Sequence, residues 1–191
     1  ILRETMNIGG AHAVTALAKM ASEPIDISLP DIALKQIEEV ADLIGSSEKF
    51  VSVILHHVVG DIAGYIVMSF SEPEACELAK HIRKCDEEVS EEKCLETLAE
   101  VGNVISGSCF SALNKFLGLR FDHSVPGAAT DMTGALINSV LAEMGQRTND
   151  ALIAQLHFAM KQMPVHGSVF LIIDPDSTQR ILQAANKKLH S

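Results

Sequence analysis

The sequence predicts an α/β sandwich in which two pseudo-twofold-related half-domain repeats share a mostly antiparallel sheet of about six strands, with two long helices on one face. Three observations predict it. The chain is long and apolar enough for one sizeable core, it matches itself at a fixed offset, and both copies switch from helical to alternating periodicity at corresponding points. With 191 residues, 47% hydrophobic and 21% charged, the whole span 1–191 suits a single domain rather than a disordered chain. The repeats run over 1–89 and 90–191.

Shifting the sequence by 96 lays residues 1–30 over 97–126 without a gap. Leu2, Glu4, Asn7, Ala16, Leu17, Lys19, Asp26, Ser28 and Pro30 then meet Leu98, Glu100, Asn103, Ala112, Leu113, Lys115, Asp122, Ser124 and Pro126. Those nine identities in thirty exceed the roughly two that ordinary composition gives. A period near 100 is too long for a solenoid, so it reads as duplication of a half-domain.

Each half opens on a helix. In the first, Leu2, Met6, Ala13, Leu17 and Met20 recur at helical spacing. In the second, Ser90 is a candidate N-cap with Glu91 and Glu92 in the first turn. Leu95, Leu98, Ile105, Cys109, Ala112 and Phe116 follow, and Gly118 ends the run. The acidic run from Asp86 to Glu92 reads as a solvated helix start. A Pro-flanked alternating stretch comes next: Ile25, Ile27 and Leu29 in one copy, Phe121 and Val125 in the other. Short helices are expected around Lys35–Leu43 and Met132–Met144. Strand pairs are expected at Phe50–Val59 with Gly64–Ser71, and at Ala151–Met160 with Gly167–Asp174. Helices over Glu72–Lys84 and Asp176–Leu189 close the halves.

Composition excludes several functions. The formal charge of −10 argues against nucleic acid or an anionic membrane as partner, since either needs a basic face. Aromatic residues make up 4%, with no Trp, which leaves no base-stacking platform. No apolar run reaches the roughly 18–20 residues that span a bilayer. No secretory leader is visible, and because the chain opens on Ile1, residues upstream of it are expected. Cys76, Cys85, Cys94 and Cys109 form no CxxC, and eight histidines lack a metal-binding spacing. Reduced thiols in a cytoplasmic protein without a metal or cofactor of its own are the expectation.

The repeated polar residues carry the chemistry. On a helix, positions i and i+3 share a face, so Glu4 points with Asn7 and Glu100 with Asn103. A lone Glu-x-x-Asn is an ordinary surface pair. Here Asn, a mediocre helix former, holds the same interior position twice, among Gly9 and Gly10 in one copy and Gly102 and Gly107 in the other. Those glycines either let the helix approach its sheet or clear space for a partner. Pro30 and Pro126 read as strand stops.

Glu-x-x-Asn, twenty-two residues and Pro, present twice, resembles the CheC-type phosphatases of bacterial and archaeal chemotaxis, a group that includes CheX and the flagellar-switch protein FliY. Glu4-Thr-Met-Asn7-Ile-Gly and Glu100-Val-Gly-Asn103-Val are similar to the group's active helices, and Gly60-Asp61-Ile-Ala-Gly64 to its central strand pair. The group's pattern also has Asp or Ser four residues before the Glu. That position falls before Ile1 in the first copy and is Glu96, a departure, in the second.

The resemblance implies hydrolysis of the phospho-aspartate of the response regulator CheY. The regulator would bring its own Mg²⁺ and lysine. Glu4 or Glu100 would pair with that lysine, while Asn7 or Asn103 would hold a water in line with phosphorus. Positioning suffices because phosphoryl transfer runs through a loose transition state. The group also binds CheD, a receptor-modifying deamidase, and Asp131 with Met132 is similar to that contact region. Two other readings stand beside the enzyme: a flagellar-switch-type module that holds phospho-CheY without hydrolysing it, and a regulator of receptor modification acting through CheD. Duplication already supplies a twofold, so a monomer is expected.

Overall fold

The computed structural model describes residues 1–191 except Leu29, Pro30, Gly45, Asp86, Arg147, His190 and Ser191. In the first half these are α1 (Leu2–Ala21), β1 (Ile25–Ile27), β2 (Asp31–Gln36), α2 (Ile37–Ile44), β3 (Phe50–Gly60), β4 (Gly64–Ser71) and α3 (Glu72–Arg83). The second half repeats the order as α4 (Glu91–Leu117), β5 (Phe121–His123), β6 (Gly127–Met132), α5 (Thr133–Gly145), β7 (Asp150–Met160), β8 (His166–Ile173) and α6 (Pro175–Leu189). No described helix is long and apolar enough to cross a membrane.

The sheet runs β1-β7-β8-β4-β3-β5, with β2 added on β7 and β6 on β3. Exchanging each first-half strand for its second-half counterpart reads the same order backwards. At the centre, β4 and β8 pair antiparallel with Val67 opposite Phe170, which are corresponding positions of the two halves. Every strand pair is antiparallel.

The described strands number eight where the sequence suggested about six: the main path has six, and β2 and β6 extend its edges. Neither added strand shows a strong apolar alternation. Asp31–Gln36 and Gly127–Met132 are exposed or half-buried throughout and are held by backbone pairing to β7 and β3. The gap between β5 and β6 holds Pro126, which has no N–H to give a ladder. Its counterpart Pro30 lies outside the described residues.

Both sheet faces are covered. On one side α1, α3, α4 and α6 pack over Ile54, Val58, Ile66, Met68, Phe70, Leu156 and Phe158. On the other, α2 and α5 bury Val51, Val53, Tyr65, Val67, Ile153, Phe170 and Ile172. The period-2 alternation of each strand divides its side chains between these two cores.

Helix ends follow local chemistry. Ser90 accepts from the Lys93 N–H at 3.5 Å, Gly118 ends α4 at φ 68° and its N–H donates to the Asn114 carbonyl. At the β3–β4 turn, Gly60 sits at φ 123°, and a side chain there would lie 2.5 Å from the Arg120 carbonyl. Asp61 Oδ2 accepts from the Arg120 N–H at 2.7 Å, fastening this turn to the chain after α4.

The glycines of the long helices face inward. A methyl at Gly102 would stand 2.5 Å from Ile54 Cγ2, one at Gly10 2.5 Å from Leu156 Cδ1, and one at Gly9 2.8 Å from Cys109 Sγ. Gly9 lets α1 approach α4, whereas Gly10 and Gly102 let the helices approach the sheet. Gly107 differs, because a methyl there meets only the His123 ring at an ordinary 3.4 Å. Burial pushes the Cys109 thiol up to about 12, so it acts as a small apolar group.

The bed beneath α4 is polar where that beneath α1 is apolar. His56 is fully buried, and its Nδ1–H donates to the Ser124 carbonyl at 2.9 Å. Its ring meets His123 edge-on at 4.7 Å. His56 Nε2 and Ser106 Oγ are buried without hydrogen-bond partners among the described residues. The corresponding positions around α1 are Leu156, Ile27 and Gly10. Burial holds the His56 imidazole below its ordinary pKa of 6.5; the Ser124 carbonyl opposes this, and the nearby His123 adds to it.

Two outcomes follow from this packing. Gly107→Ala should raise the melting temperature, because helix propensity improves by up to ~1 kcal/mol. Gly102→Ala should lower it, because forcing a methyl against Ile54 costs about 1–3 kcal/mol. A depressed His56 pKa means that the unfolded chain binds more protons than the folded one just below pH 6.5. Stability is therefore lost as pH falls from about 6.5 towards the lowered value. Thermal melts at pH 7 and pH 5 should show a smaller acid penalty for His56→Leu, and an unchanged penalty would contradict the assignment.

Candidate functional site

The outer faces of α1 and α4 form the candidate site. The inner face of α1 buries Thr5, Met6, Gly9, Gly10, Ala13, Leu17 and Ala21. The inner face of α4 buries Leu98, Val101, Gly102, Ile105, Cys109, Phe110 and Leu113, among others. Burial at these spacings fixes which way the intervening residues point. Glu4 is exposed and Asn7 half-exposed, while Glu100 and Asn103 are both exposed.

None of these four side chains has a hydrogen bond or ion pair with another described residue. Asn is a good local hydrogen-bonding partner for backbone, yet both amides are left open to solvent. Each sits one turn beyond a free carboxylate on the same face. Gly9, Gly10 and Gly102 are neighbours of these residues in sequence but serve packing, whereas Gly107 does not pack closely.

The two helices are packed closely and run antiparallel. Ser108 Oγ donates to the His12 carbonyl at 3.2 Å, and His12 and Ser108 are themselves corresponding positions, so the pseudo-twofold passes between them. Gly9 lies against Cys109 and Leu113. Asn7 precedes His12 by five positions, as Asn103 precedes Ser108. At 1.5 Å per residue the two amides stand roughly 15 Å apart along the helix pair. The pairs are therefore separate sites on one surface.

Asp131 and Met132 lie elsewhere. Both are exposed where β6 runs into α5, and α5 belongs to the opposite face of the sheet. The Met132 N–H donates to Asp131 Oδ1 at 2.7 Å. Met132 pairs across the strands with Phe50, and the two are 44% and 57% exposed, which makes a small apolar spot at the sheet edge.

Sequence reasoning did not single out His56, His123 and Ser106, although they underlie the second Glu/Asn pair and have no polar equivalents under the first. Comparing the two copies position by position carries that signal: Ser106 meets Gly10 and His123 meets Ile27 within the first thirty residues, and His56 meets Leu156 beyond them. Among the described residues no group of three or more His, Cys, Asp or Glu side chains converges as a metal-binding set.

Comparison with known proteins agrees with this architecture. Residues 51–143 match the family model described as chemotaxis phosphatase CheX. The chain is 29% identical to the CheY-P phosphatase CheC of Bacillus subtilis (strain 168), over 99% of this chain and 94% of that protein. Its fold is similar to that of Thermotoga maritima FliY, with a TM-score of 0.75 at 16% identity, covering 98% of this chain and 94% of the other. It is also similar to a chain in the CheX–CheY–BeF3–Mg²⁺ complex from Borrelia burgdorferi, with a TM-score of 0.57 at 21% identity over 90% and 97% of the two chains. The chain is thus similar in sequence to a CheC protein and, over residues 51–143, to the CheX family model, and it shares its fold with FliY.

Proposed function

We propose that the protein hydrolyses the aspartyl phosphate of a CheY-like response regulator, using the exposed faces of α1 and α4. The observation that carries this reading is the pair of solvent-facing amides, Asn7 and Asn103, each free of partners and each beside a free carboxylate. The CheY-P phosphatase activity of the B. subtilis relative supports the reaction, and the complex in which CheX is bound to CheY supports the partner.

The chemistry asks little of the chain. An amide has one acceptor and two donors, enough to hold a water in one orientation without acting as a strong base. Asn7 or Asn103 aims that water at phosphorus along the line of the departing aspartyl oxygen. Phosphoryl transfer is governed by position and charge, so a correctly held water contributes ~10²–10³ in rate. Glu4 or Glu100 pairs with a lysine of the regulator and fixes the docking angle. Mg²⁺ is brought by the regulator, and this chain contributes no ligand to it. The attacking water adds to phosphorus, the carboxylate of the regulator leaves, and inorganic phosphate is released.

A second reading is a non-catalytic flagellar-switch-type module that holds the phosphorylated regulator without hydrolysing it. Both Glu/Asn pairs are intact here, and a module that only binds has no need of a water-aiming amide. A CheD contact at Asp131 and Met132 would use a different surface and is compatible with either reading.

Replacing Asn7 and Asn103 together by Ala should abolish stimulated phosphate release from the phosphorylated regulator. Stability should change by no more than about 1 kcal/mol, since both side chains lie at the surface. Either single substitution should leave partial activity. Unchanged release by the double variant would end the assignment, and complete loss from one single variant would show that the sites are not independent.

A further inference from the structure

The repeat identities include one residue that the proposed chemistry leaves unused: the lysine at Lys19 and Lys115. It lies on neither helix's buried face; both copies are exposed and without an ion pair among the described residues. The antiparallel register decides where each is carried. With His12 opposite Ser108 and Gly9 against Leu113, Lys115 comes level with the first two turns of α1. In agreement with that register, Lys115 and Ile8, the neighbour of Asn7, line one cleft of about 630 Å³ together with His12, Ser108, Ser111 and the α6 residue Lys188. By the same register Lys19 is carried towards Glu100 and Asn103. By register, each Glu/Asn pair thus lies level with a lysine of the other half.

The geometry points to Lys115 and Lys19 as docking residues that act across the pseudo-twofold, Lys115 serving the Asn7 site and Lys19 the Asn103 site. This inference rests on the proposed phosphatase reading. The chain itself carries −10, so its long-range field opposes the approach of any anionic surface on a phosphorylated partner. A local cation beside each amide offsets that repulsion and orients the anionic surface. Glu4 and Glu100 lie on the same faces but form no ion pair with these lysines. Both charges of each site therefore remain available to a partner, the carboxylate to its cation and the ammonium to its anion. The site is then composite, with amide and carboxylate from one half and ammonium from the other.

The test isolates one site at a time. In an Asn103→Ala background, where only the first pair works, Lys115→Glu should lower kcat/KM for phosphate release by roughly three- to tenfold. The loss should appear mainly in KM, weaken with added salt, and exceed the loss from Lys19→Glu. In an Asn7→Ala background the order should reverse. Lys115→Arg should restore most of the affinity, and melting curves should show each variant folded. Larger losses from the lysine on the same helix as the working amide, or equal losses in both backgrounds, would overturn the crossed arrangement while leaving the phosphatase reading intact. A parent chain that releases no phosphate would remove that reading and this inference with it.

Discussion

The close antiparallel contact of α1 with α4 is the constraint on which the rest depends. Gly9 gives α1 access to Cys109 and Leu113, and the Ser108 hydroxyl ties itself to the His12 carbonyl at the pseudo-twofold. Once the helices are in register there, the exposed residues five positions before the crossing are fixed on both sides. The same axis passes through the Val67–Phe170 pair in the sheet, so helix layer and sheet share one symmetry. A side chain larger than Gly at position 9 would push the helices apart and disturb both candidate sites together.

The symmetry stops at the chemistry of the bed. Under α1 lie Leu156 and Ile27, and under α4 lie His56 and His123 with the buried Ser106 hydroxyl. Duplicated backbones have therefore been filled with different interiors while the outer Glu, Asn and Lys remain the same. Apolar packing lies beneath the first pair, and a buried imidazole, His56, held below its ordinary pKa by burial lies beneath the second, although the exposed groups are alike.

Much of this was legible in the sequence because it follows periodicity. The helix over 91–117, its Ser90 cap and Gly118 stop, and the strand Gly64–Ser71 are where spacing and turn chemistry place them. Outward orientation of Glu4, Asn7, Glu100 and Asn103 follows from the buried stripe beside them. The strands Asp31–Gln36 and Gly127–Met132 were not legible, because edge strands held by backbone pairing leave little side-chain pattern. Nor could the sequence say which glycines face the core, since that depends on how closely helix and sheet approach. The His56 cluster escaped for a related reason: a histidine inside an apolar strand looks the same from sequence whether it packs against a helix or faces water.

A turnover experiment tests the central claim most directly, because an aimed water discharges one partner after another whereas a binding surface only holds it. The chain would be added at one part per hundred to a phosphorylated CheY-like regulator, and the decay of its aspartyl phosphate followed. The account predicts accelerated discharge of the entire regulator pool, with phosphate released in large molar excess over the chain. Decay at the regulator's own rate, or slower at higher ratios of chain, would contradict it.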